Sequence, residues 1–290
     1  MILLLSGTSE GRVLGQHLRA AGLPFVASVT TPEAKALFAE VDPPPEILVT
    51  RFSADMLATF LRERRICAIL DATHPFAHRI SETAMQAAAQ VDIPYVRYER
   101  PATALSRHHD QIQVVPDVSA AVQVCLEQGT RIFLTTGTKT LPAFREVTAR
   151  KWVMARILPT VASLSQALAA GLTPAQILAL RGPFSQALEH ALLREYRIDL
   201  LVTKESGAAG GLDTKLAAAA ELGIRAVVIG RPPLPYANLY HDLEQAVQAV
   251  IRLGGVERGA SPTGSTADPF CSAPRAQSSV LAMRKDGHDG

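Results

Sequence analysis

Cysteine is scarce in this chain, and its three residues, Cys67, Cys125 and Cys271, stand far apart. Their spacing fits neither a disulfide framework nor the closely spaced ligands of a zinc site. We therefore expect no bound metal and a reducing compartment.

An excess of one charge is also missing, because 29 Lys and Arg residues are balanced by 27 Asp and Glu residues, for a net charge of +2. No long basic run occurs, so we expect no nucleic-acid surface. No apolar stretch is long enough to cross a bilayer, and the first residues lack the basic start of a signal peptide. The sequence predicts a soluble, cytoplasmic protein without membrane contact, acting on a small ligand.

Short apolar runs alternate with stretches of helical period along most of the chain. Continuous apolar runs of this kind are typical of parallel strands buried on both faces. Strands are predicted at residues 2–5, 23–29, 46–49, 67–70, 93–98, 132–134, 153–156, 176–180, 200–203 and 226–229. A first helix is predicted after the loop at residues 6–9, with Val13, Leu14, His17 and Leu18 on one face. Further helices are predicted at 54–64, 76–91, 118–127, 140–148, 163–170, 185–196, 214–222 and 243–253.

The strand and helix pattern restarts near residue 131, which predicts an α/β fold with a duplicated architecture. The predicted division is a domain at 1–101, a connection with one helix at 102–130, a second domain at 131–256 and a tail at 257–290. The tail is rich in Ser, Pro, Ala and Gly without periodicity, so we expect it to be disordered.

The first strand leads into SGTSEGR at residues 6–12, a polar loop that opens a helix. Free backbone N–H groups at such a helix start can hold a phosphate. The loop has only Gly7 and Gly11, so it is not the G-x-G-x-x-G fingerprint of dinucleotide sites. An ordinary turn that binds nothing remains the alternative.

Polar residues also follow the fourth predicted strand, in DATHPFA at residues 71–77. Open α/β sheets bind ligands at the carboxyl ends of their strands, so Thr73 and His74 are candidate ligand contacts. The alternative is that Asp71 and Thr73 cap the next helix and that His74 forms a hydrogen bond with the backbone. Thr30 lies at the end of the second predicted strand, the place where such sheets bind the adenine ribose of a dinucleotide. No acidic residue lies directly at this strand end, and the Thr30 hydroxyl suits a coenzyme 2′-phosphate better than a free 2′-hydroxyl.

Basic side chains collect at predicted strand ends. Arg97 and Arg100 form a candidate carboxylate clamp, with a solvated ion-pair cluster around Glu99 as the alternative. Lys204 opens a Gly-rich stretch at residues 205–211 that could close over a ligand or be a mobile surface loop. The complete set at or just beyond strand ends is Arg12, Arg97, Arg100, Lys139, Lys204 and Lys215.

Taken together, these stretches resemble the precorrin-6A reductase family of corrin-ring biosynthesis, including its cobalt-precorrin members. The resemblance covers roughly residues 1–233 and rests on stretches that follow the family's order: SGTSEGR at 6–12, DATHPFA at 71–77, RYERP at 97–101, TTGTK at 135–139, RGPFS at 181–185 and TKESG at 203–207 with Lys215 beyond. It implies two Rossmann-like domains with a ligand cleft between them. It also implies hydride transfer from NADPH to a ring double bond of a polycarboxylate tetrapyrrole, with a proton added to the neighbouring carbon.

For that reaction, the resemblance implies one group of residues that contacts the coenzyme and another that contacts the substrate. Coenzyme contacts are expected from Gly7, Thr8, Ser9, Glu10, Gly11, Thr30, Thr73 and His74. Substrate contacts are expected from Arg12, Arg97, Arg100, Lys139, Ser185, Lys204, Ser206 and Lys215. His74 is also the candidate proton donor or orienting group, because imidazole titrates near neutrality, and water or the substrate's own carboxyl groups are the alternative proton source.

Several alternatives stay open. Residues 30–34 lack the Ala-Gly-Arg of many aerobic-type members, which leaves open the 2′-phosphate contact and the choice between a cobalt-free and a cobalt-containing substrate. A methyltransferase that uses S-adenosylmethionine is the rival enzyme, and a two-lobed binding protein would need an export signal. Product transfer to the next pathway enzyme is a further expected interaction.

Overall fold

The structure is a computed structural model that describes residues 1–102, 111–207 and 210–255. Within these ranges the chain forms two six-stranded sheets with helices packed on them. The tail predicted at 257–290 lies outside the described residues.

The first sheet has the strand order β12-β5-β4-β1-β2-β3, and all of its pairs are parallel. Every residue of β1, β2, β4 and β5 is buried, as expected for strands covered on both faces. The strands are β1 Ile2–Leu5, β2 Phe25–Val29, β3 Glu46–Val49, β4 Ala68–Asp71, β5 Tyr95–Tyr98 and β12 Leu239–Tyr240.

The second sheet repeats this arrangement in the order β6-β11-β10-β7-β8-β9, again with parallel pairs. The chain direction across the sheet reverses between β1 and β4 in the first sheet and between β7 and β10 in the second. Ligands of open α/β sheets bind at such switch points. The strands are β6 Ile112–Val115, β7 Arg131–Leu134, β8 Trp152–Ile157, β9 Ile177–Ala179, β10 Leu200–Lys204 and β11 Arg225–Ile229.

The helices follow the predicted positions closely, with one clear difference. Residues 140–148 were expected to form one helix, but a 3-10 segment at Thr138–Phe144 precedes a short α5, because Pro142 inside the segment cannot donate a helical hydrogen bond. The helices are α1 Ser9–Ala20, α2 Ala54–Glu63, α3 His78–Gln90, α4 Val118–Gln128, α5 Arg145–Arg150, α6 Val161–Ala169, α7 Gln186–Glu195, α8 Leu212–Glu221 and α9 Leu243–Leu253.

The chain crosses twice between the sheets, and this corrects the predicted domain boundaries. Strand β6, inside the predicted connection at 102–130, pairs with β11 and belongs to the second sheet. Strand β12 and helix α9, inside the predicted second domain, return to the first: β12 pairs with β5, and Ala246, Val247 and Val250 of α9 pack into the first core. The last strand and helix of the described chain, β12 and α9, therefore belong to the first domain.

Candidate active site

The loop after β1 is held directly against the loop after β4. Thr8 Oγ1 donates a hydrogen bond to the carbonyl of Ala72 at 3.0 Å. A Cβ on Gly11 would lie 1.9 Å from Ser6 Oγ, so only glycine lets α1 approach the strand end this closely. A Cβ on Gly7 would meet no atom within 4 Å, so the backbone there opens onto free space. The loop thus combines an exposed backbone with a helix N-terminus, as an anion site requires.

The second sheet presents its own switch-point loops opposite these. Gly137, after β7, has φ +81°, a left-handed conformation that favours glycine. Lys204 ends β10, with its Nζ 4.9 Å from the centre of the Phe76 ring. Lys215 on α8 is buried and donates to the carbonyl of Gly210 at 3.0 Å. The end of β10 and helix α8 therefore each bring a cation towards the first domain.

Two adjoining cavities of about 460 Å³ each lie between the sheets and form the interdomain cleft. His74, Thr135, Gly137, Leu158, Gly210 and Lys215 line both cavities. The first cavity also has Gly7, Thr8, Ser9, Arg100 and Arg156 in its wall. The second also has Lys139, Lys204 and Ser206. Residues expected to bind coenzyme and residues expected to bind substrate thus meet in one cleft, with His74 where the cavities join.

Two lysines of the cleft are poorly solvated cations. Burial, together with the nearby charge of Lys139, lowers the pKa of Lys204 to about 8. Burial and the charge of Arg156 together lower the pKa of Lys215 to about 8, against an opposing effect of Glu189. An anion in the cleft would restore the charged form of both side chains, so the site favours a ligand that carries carboxylates or phosphates.

Arg156 and Glu189 are site residues that the sequence analysis missed. Nη1 of Arg156 donates to both carboxylate oxygens of Glu189 at 2.9 Å, and the guanidinium stands 4.7 Å from the centre of the Phe184 ring. Both charged residues line the first cavity. The available signal was an arginine inside the apolar strand β8, a position that only a buried acidic partner stabilises.

Arg97, expected to clamp a substrate carboxylate, has a different role. Its side chain is 0% exposed and donates to Asp71 at 2.9 Å, with Glu99 3.4 Å away. Asp71 also accepts hydrogen bonds of 2.6 Å from Ser81 and Tyr95. Burial opposes ionisation of Asp71, but the charge of Arg97 and these donors outweigh it and lower the Asp71 pKa. The expectation for Arg97 is therefore corrected, because its buried guanidinium is bonded within the protein to Asp71, Glu99 and the Thr73 hydroxyl.

Other expected ligand contacts are also used within the protein. Arg12 pairs with Glu40, and Ser185 caps α7 by accepting from the Leu188 N–H. Neither Arg12 nor Ser185, nor Thr30 after β2, lines either cavity of the cleft. The Thr73 hydroxyl donates to Asp71 at 2.7 Å. None of these four residues lines the two cavities of the cleft.

Glu10 and Arg100, expected to contact different ligands, bind each other at 3.1 Å. Arg100 still lines the first cavity, so one face of its side chain remains available there. A Cβ on Gly207 would lie 2.5 Å from Cδ of Arg100, so this glycine allows the arginine to pass close to the loop after β10. The pair therefore stands at the contact between the two domains.

Arg231, which was not a sequence-based candidate, joins the two domains. Its Nη1 donates to Glu99 at 2.7 Å and to the carbonyl of Arg100 at 2.7 Å. Its Nε forms an ion pair with Glu205, the residue that follows β10. The sequence offered only an Arg-Pro-Pro stretch at the end of β11, with no sign of its partners. Together with Asp71 and Arg97, these residues make an unbroken series of ion pairs from the first sheet to the second.

His74 is held in a tight turn at the centre of the cleft. Its carbonyl accepts the Ala77 N–H at 2.7 Å, and its ring Nδ1 accepts the Phe76 N–H at 3.2 Å. The His74 pKa is lowered to about 4, chiefly by burial and further by the charges of Arg100, Lys204 and Arg97, while Glu10 opposes the shift. The imidazole is therefore neutral at pH 7.

The described residues contain neither a membrane-spanning helix nor a metal-binding cluster. No helix in this part of the chain is both long and apolar enough to cross a membrane. Across the same residues, no group of three or more His, Cys, Asp or Glu side chains is arranged to hold a metal ion.

Comparison with known proteins places this architecture in one family. A family profile described as "Precorrin-6x reductase CbiJ/CobK" matches residues 1–251, most of the chain. The chain belongs to the precorrin-6x reductase family. This membership confirms the resemblance drawn from the loop stretches and does not favour the methyltransferase alternative.

Relatives within the family include both named reductase types. The chain is 36% identical to the cobalt-precorrin-6A reductase of Priestia megaterium over 87% of its own length and 98% of that protein. It is 40% identical to the precorrin-6A reductase of Rhodococcus erythropolis over 89% of its own length and 98% of that protein. Among solved structures, a CobK precorrin-6A reductase matches with a TM-score of 0.71 at 27% identity, over 89% of this chain and 99% of that one.

Arg97→Met should lower the free energy of unfolding by about 3–5 kcal/mol, because it leaves the Asp71 carboxylate buried without its cation. Chemical denaturation at pH 7 measures the change. Arg64→Met is the matched control, since Arg64 pairs with Glu46 at the surface and exposed pairs contribute about 0–1 kcal/mol. If Arg97→Met is as stable as the control and loses tetrapyrrole affinity instead, Arg97 is a substrate clamp after all.

Proposed function

We propose that this chain reduces a ring double bond of precorrin-6A or cobalt-precorrin-6A, with hydride supplied by NADPH. The observation that carries the proposal is the cleft itself, where the switch points of two parallel sheets face each other around His74 and a group of cations. Membership of the family names the reaction, and the cleft offers separate places for a coenzyme and a polycarboxylate ring.

The first domain is the proposed coenzyme site, with the pyrophosphate at residues 7–11. The open space beside Gly7 and the N-terminus of α1 fit a phosphate held by backbone N–H groups. The nicotinamide would then lie towards Thr73 and His74, beyond the neighbouring strand β4. The coenzyme supplies the hydride when bound, and the protein's part is to position it and to exclude water.

Residues after β2 are the proposed contacts for the 2′-phosphate of NADPH. Thr30 is exposed at the strand end. Its neighbour Glu33 has a lowered pKa because its own backbone N–H and the Thr31 hydroxyl donate to it, and the charge of Arg181 adds to the effect. The positive charge of Arg181, from the second domain, thus acts at this end of the sheet, where it would also favour a phosphate.

The second domain is the proposed tetrapyrrole site. Acetate and propionate groups lose hydration when they enter the cleft, and charged hydrogen bonds to lysine offset that cost. Lys139, Lys204 and Lys215 are the available cations there, and Ser206 adds a hydroxyl. These residues would hold the ring by its edge carboxylates while the reacting carbon faces the first domain.

The cobalt content of the substrate is open in this proposal, because relatives named for both substrates cover nearly the same share of the chain. Turnover assays with precorrin-6A and with cobalt-precorrin-6A decide it. A cytoplasmic location and transfer of the product to the next pathway enzyme stay predictions.

Gly7→Leu should weaken NADPH binding by roughly ten- to a hundredfold, because the side chain enters the phosphate space and removes charged hydrogen bonds of about 1.5–3 kcal/mol. The quenching of protein fluorescence by NADPH measures the dissociation constant. Because the Gly7 Cβ position is unobstructed, the fold should tolerate the change.

Thr138→Leu is the matched variant in the corresponding loop of the second domain, and it lines the second cavity. Gly137 is unsuitable for this purpose because its positive φ would strain any side chain. The variant should leave NADPH affinity unchanged. Loss of NADPH affinity in Thr138→Leu, with normal affinity in Gly7→Leu, would reverse the assignment of the two domains.

Lys204→Ala should lower kcat/KM for the tetrapyrrole by roughly ten- to a hundredfold, since a charged hydrogen bond contributes about 1.5–3 kcal/mol. The NADPH dissociation constant should change little. Steady-state kinetics with the tetrapyrrole and fluorescence titration with NADPH give the two values. Unchanged tetrapyrrole kinetics, or an equal loss of NADPH affinity, would rule out Lys204 as the carboxylate anchor.

The pH dependence offers a control for the same lysine. In the wild-type enzyme, kcat/KM for the tetrapyrrole should fall above about pH 8, where Lys204 and Lys215 lose their charge. Lys204→Arg should keep substantial activity and lessen this fall, because the guanidinium stays protonated, while Lys215 still titrates.

A further inference from the structure

We propose that His74 binds a carboxylate of the tetrapyrrole as a neutral hydrogen-bond donor through Nε2–H and supplies no proton to the reduced ring. The inference deepens the proposed function and rests on it, since the ligand is the substrate assigned there. It replaces the sequence-based expectation that His74 is the acid.

The first argument is the tautomer. Nδ1 of His74 accepts the Phe76 N–H at 3.2 Å, so Nδ1 carries no proton and the ring hydrogen is on Nε2. In the imidazolium form both nitrogens would donate, and an N–H on Nδ1 would oppose the Phe76 N–H. The turn closed by the Ala77 N–H on the His74 carbonyl, with Pro75 inside it, keeps that backbone donor in place.

The second argument is the location of the other nitrogen. Among the described residues no protein group is bonded to Nε2, and the imidazole lines both cavities of the cleft. The backbone holds the His74 ring at Nδ1, so the hydrogen on Nε2 is the one that the ring can donate. Nε2–H therefore donates into the cleft, where coenzyme and substrate must meet.

The third argument is the charge around the ring. Arg100, Lys204 and Arg97 lower the pKa of the ring, and Glu10 raises it. The two arginines are paired with carboxylates of the protein, whereas no ion pair of Lys204 is found among the described residues. The charge of Lys204 disfavours an imidazolium beside it and attracts an anion. A carboxylate in this place accepts from Nε2–H as well as from the cations, so His74 can bind it without being charged. The proton that completes reduction of the double bond then comes from water, while the hydride comes from the coenzyme.

Kinetics of His74→Phe and His74→Gln test the proposal. His74→Phe keeps a ring but no donor and should raise KM for the tetrapyrrole roughly tenfold or more, with a smaller change in kcat, whereas the amide donor of His74→Gln should restore most of the loss. The NADPH dissociation constant should not change. His78→Phe, at an exposed histidine that lines neither cavity, is the control and should behave as wild type.

The pH profile distinguishes a binding role from acid catalysis. A histidine acid with its ordinary pKa near 6.5 would make kcat fall about tenfold per pH unit above that value. We expect no such fall between about pH 6 and 8. A fall that is present in wild type and absent in His74→Gln, or a loss of NADPH affinity in His74→Phe in place of the rise in KM, would overturn the proposal.

Nitrogen-15 NMR of histidine-labelled protein gives an answer that needs no substrate, with His74→Gln identifying the signal. The expected spectrum is a neutral Nε2–H tautomer that persists down to about pH 5, and a titration near pH 6.5 would contradict it. Failure of wild type to bind NADPH or to turn over either tetrapyrrole would instead refute the proposed function, so the two failures are distinguishable.

Discussion

A series of buried ion pairs determines where the two halves of this protein stand. It begins at Asp71, at the end of β4, and passes through Arg97 and Glu99 to Arg231, which binds Glu205 after β10. Removing such charges from water is costly, and only complete pairing offsets the cost. Since each carboxylate has an arginine and each arginine a carboxylate, the series fixes both switch points in one arrangement. The cleft between them depends on that arrangement.

Apolar periodicity was enough to predict most of the fold. Strands such as Ile2–Leu5 and Leu200–Lys204 are buried runs, so their positions followed from the sequence. Strand β6 was not predicted because it is an edge strand with two exposed residues. Strand β12 was not predicted because it has only two residues. Their pairing partners lie far along the chain, and no local pattern reports such contacts. The exchange of segments between the domains was therefore visible only in three dimensions.

The sequence predicted that the candidate site residues lie at strand ends, but it did not predict which groups they bind. Sequence reasoning put Arg97 and Lys204 alike at strand ends, where both could meet a ligand. Burial separates them: Arg97 faces Asp71 and is satisfied, whereas Lys204 has a pKa lowered to about 8 and faces the cavity. Arg156 was not a candidate, because it lies within an apolar strand, and yet it lines the cleft. A chain of nearly zero net charge thus has a local group of Lys and Arg side chains in the interdomain cleft.

The central claim is that each sheet holds one reactant, with the coenzyme on the first and the tetrapyrrole on the second. Hydrogen–deuterium exchange of the full chain, measured with and without saturating NADPH, tests it most directly. The claim predicts slower exchange in peptides that cover residues 5–12 and 72–77, with little change at 135–139 and 203–207 until the tetrapyrrole is added. Protection by NADPH of the second pair of segments, with none in the first, would contradict it.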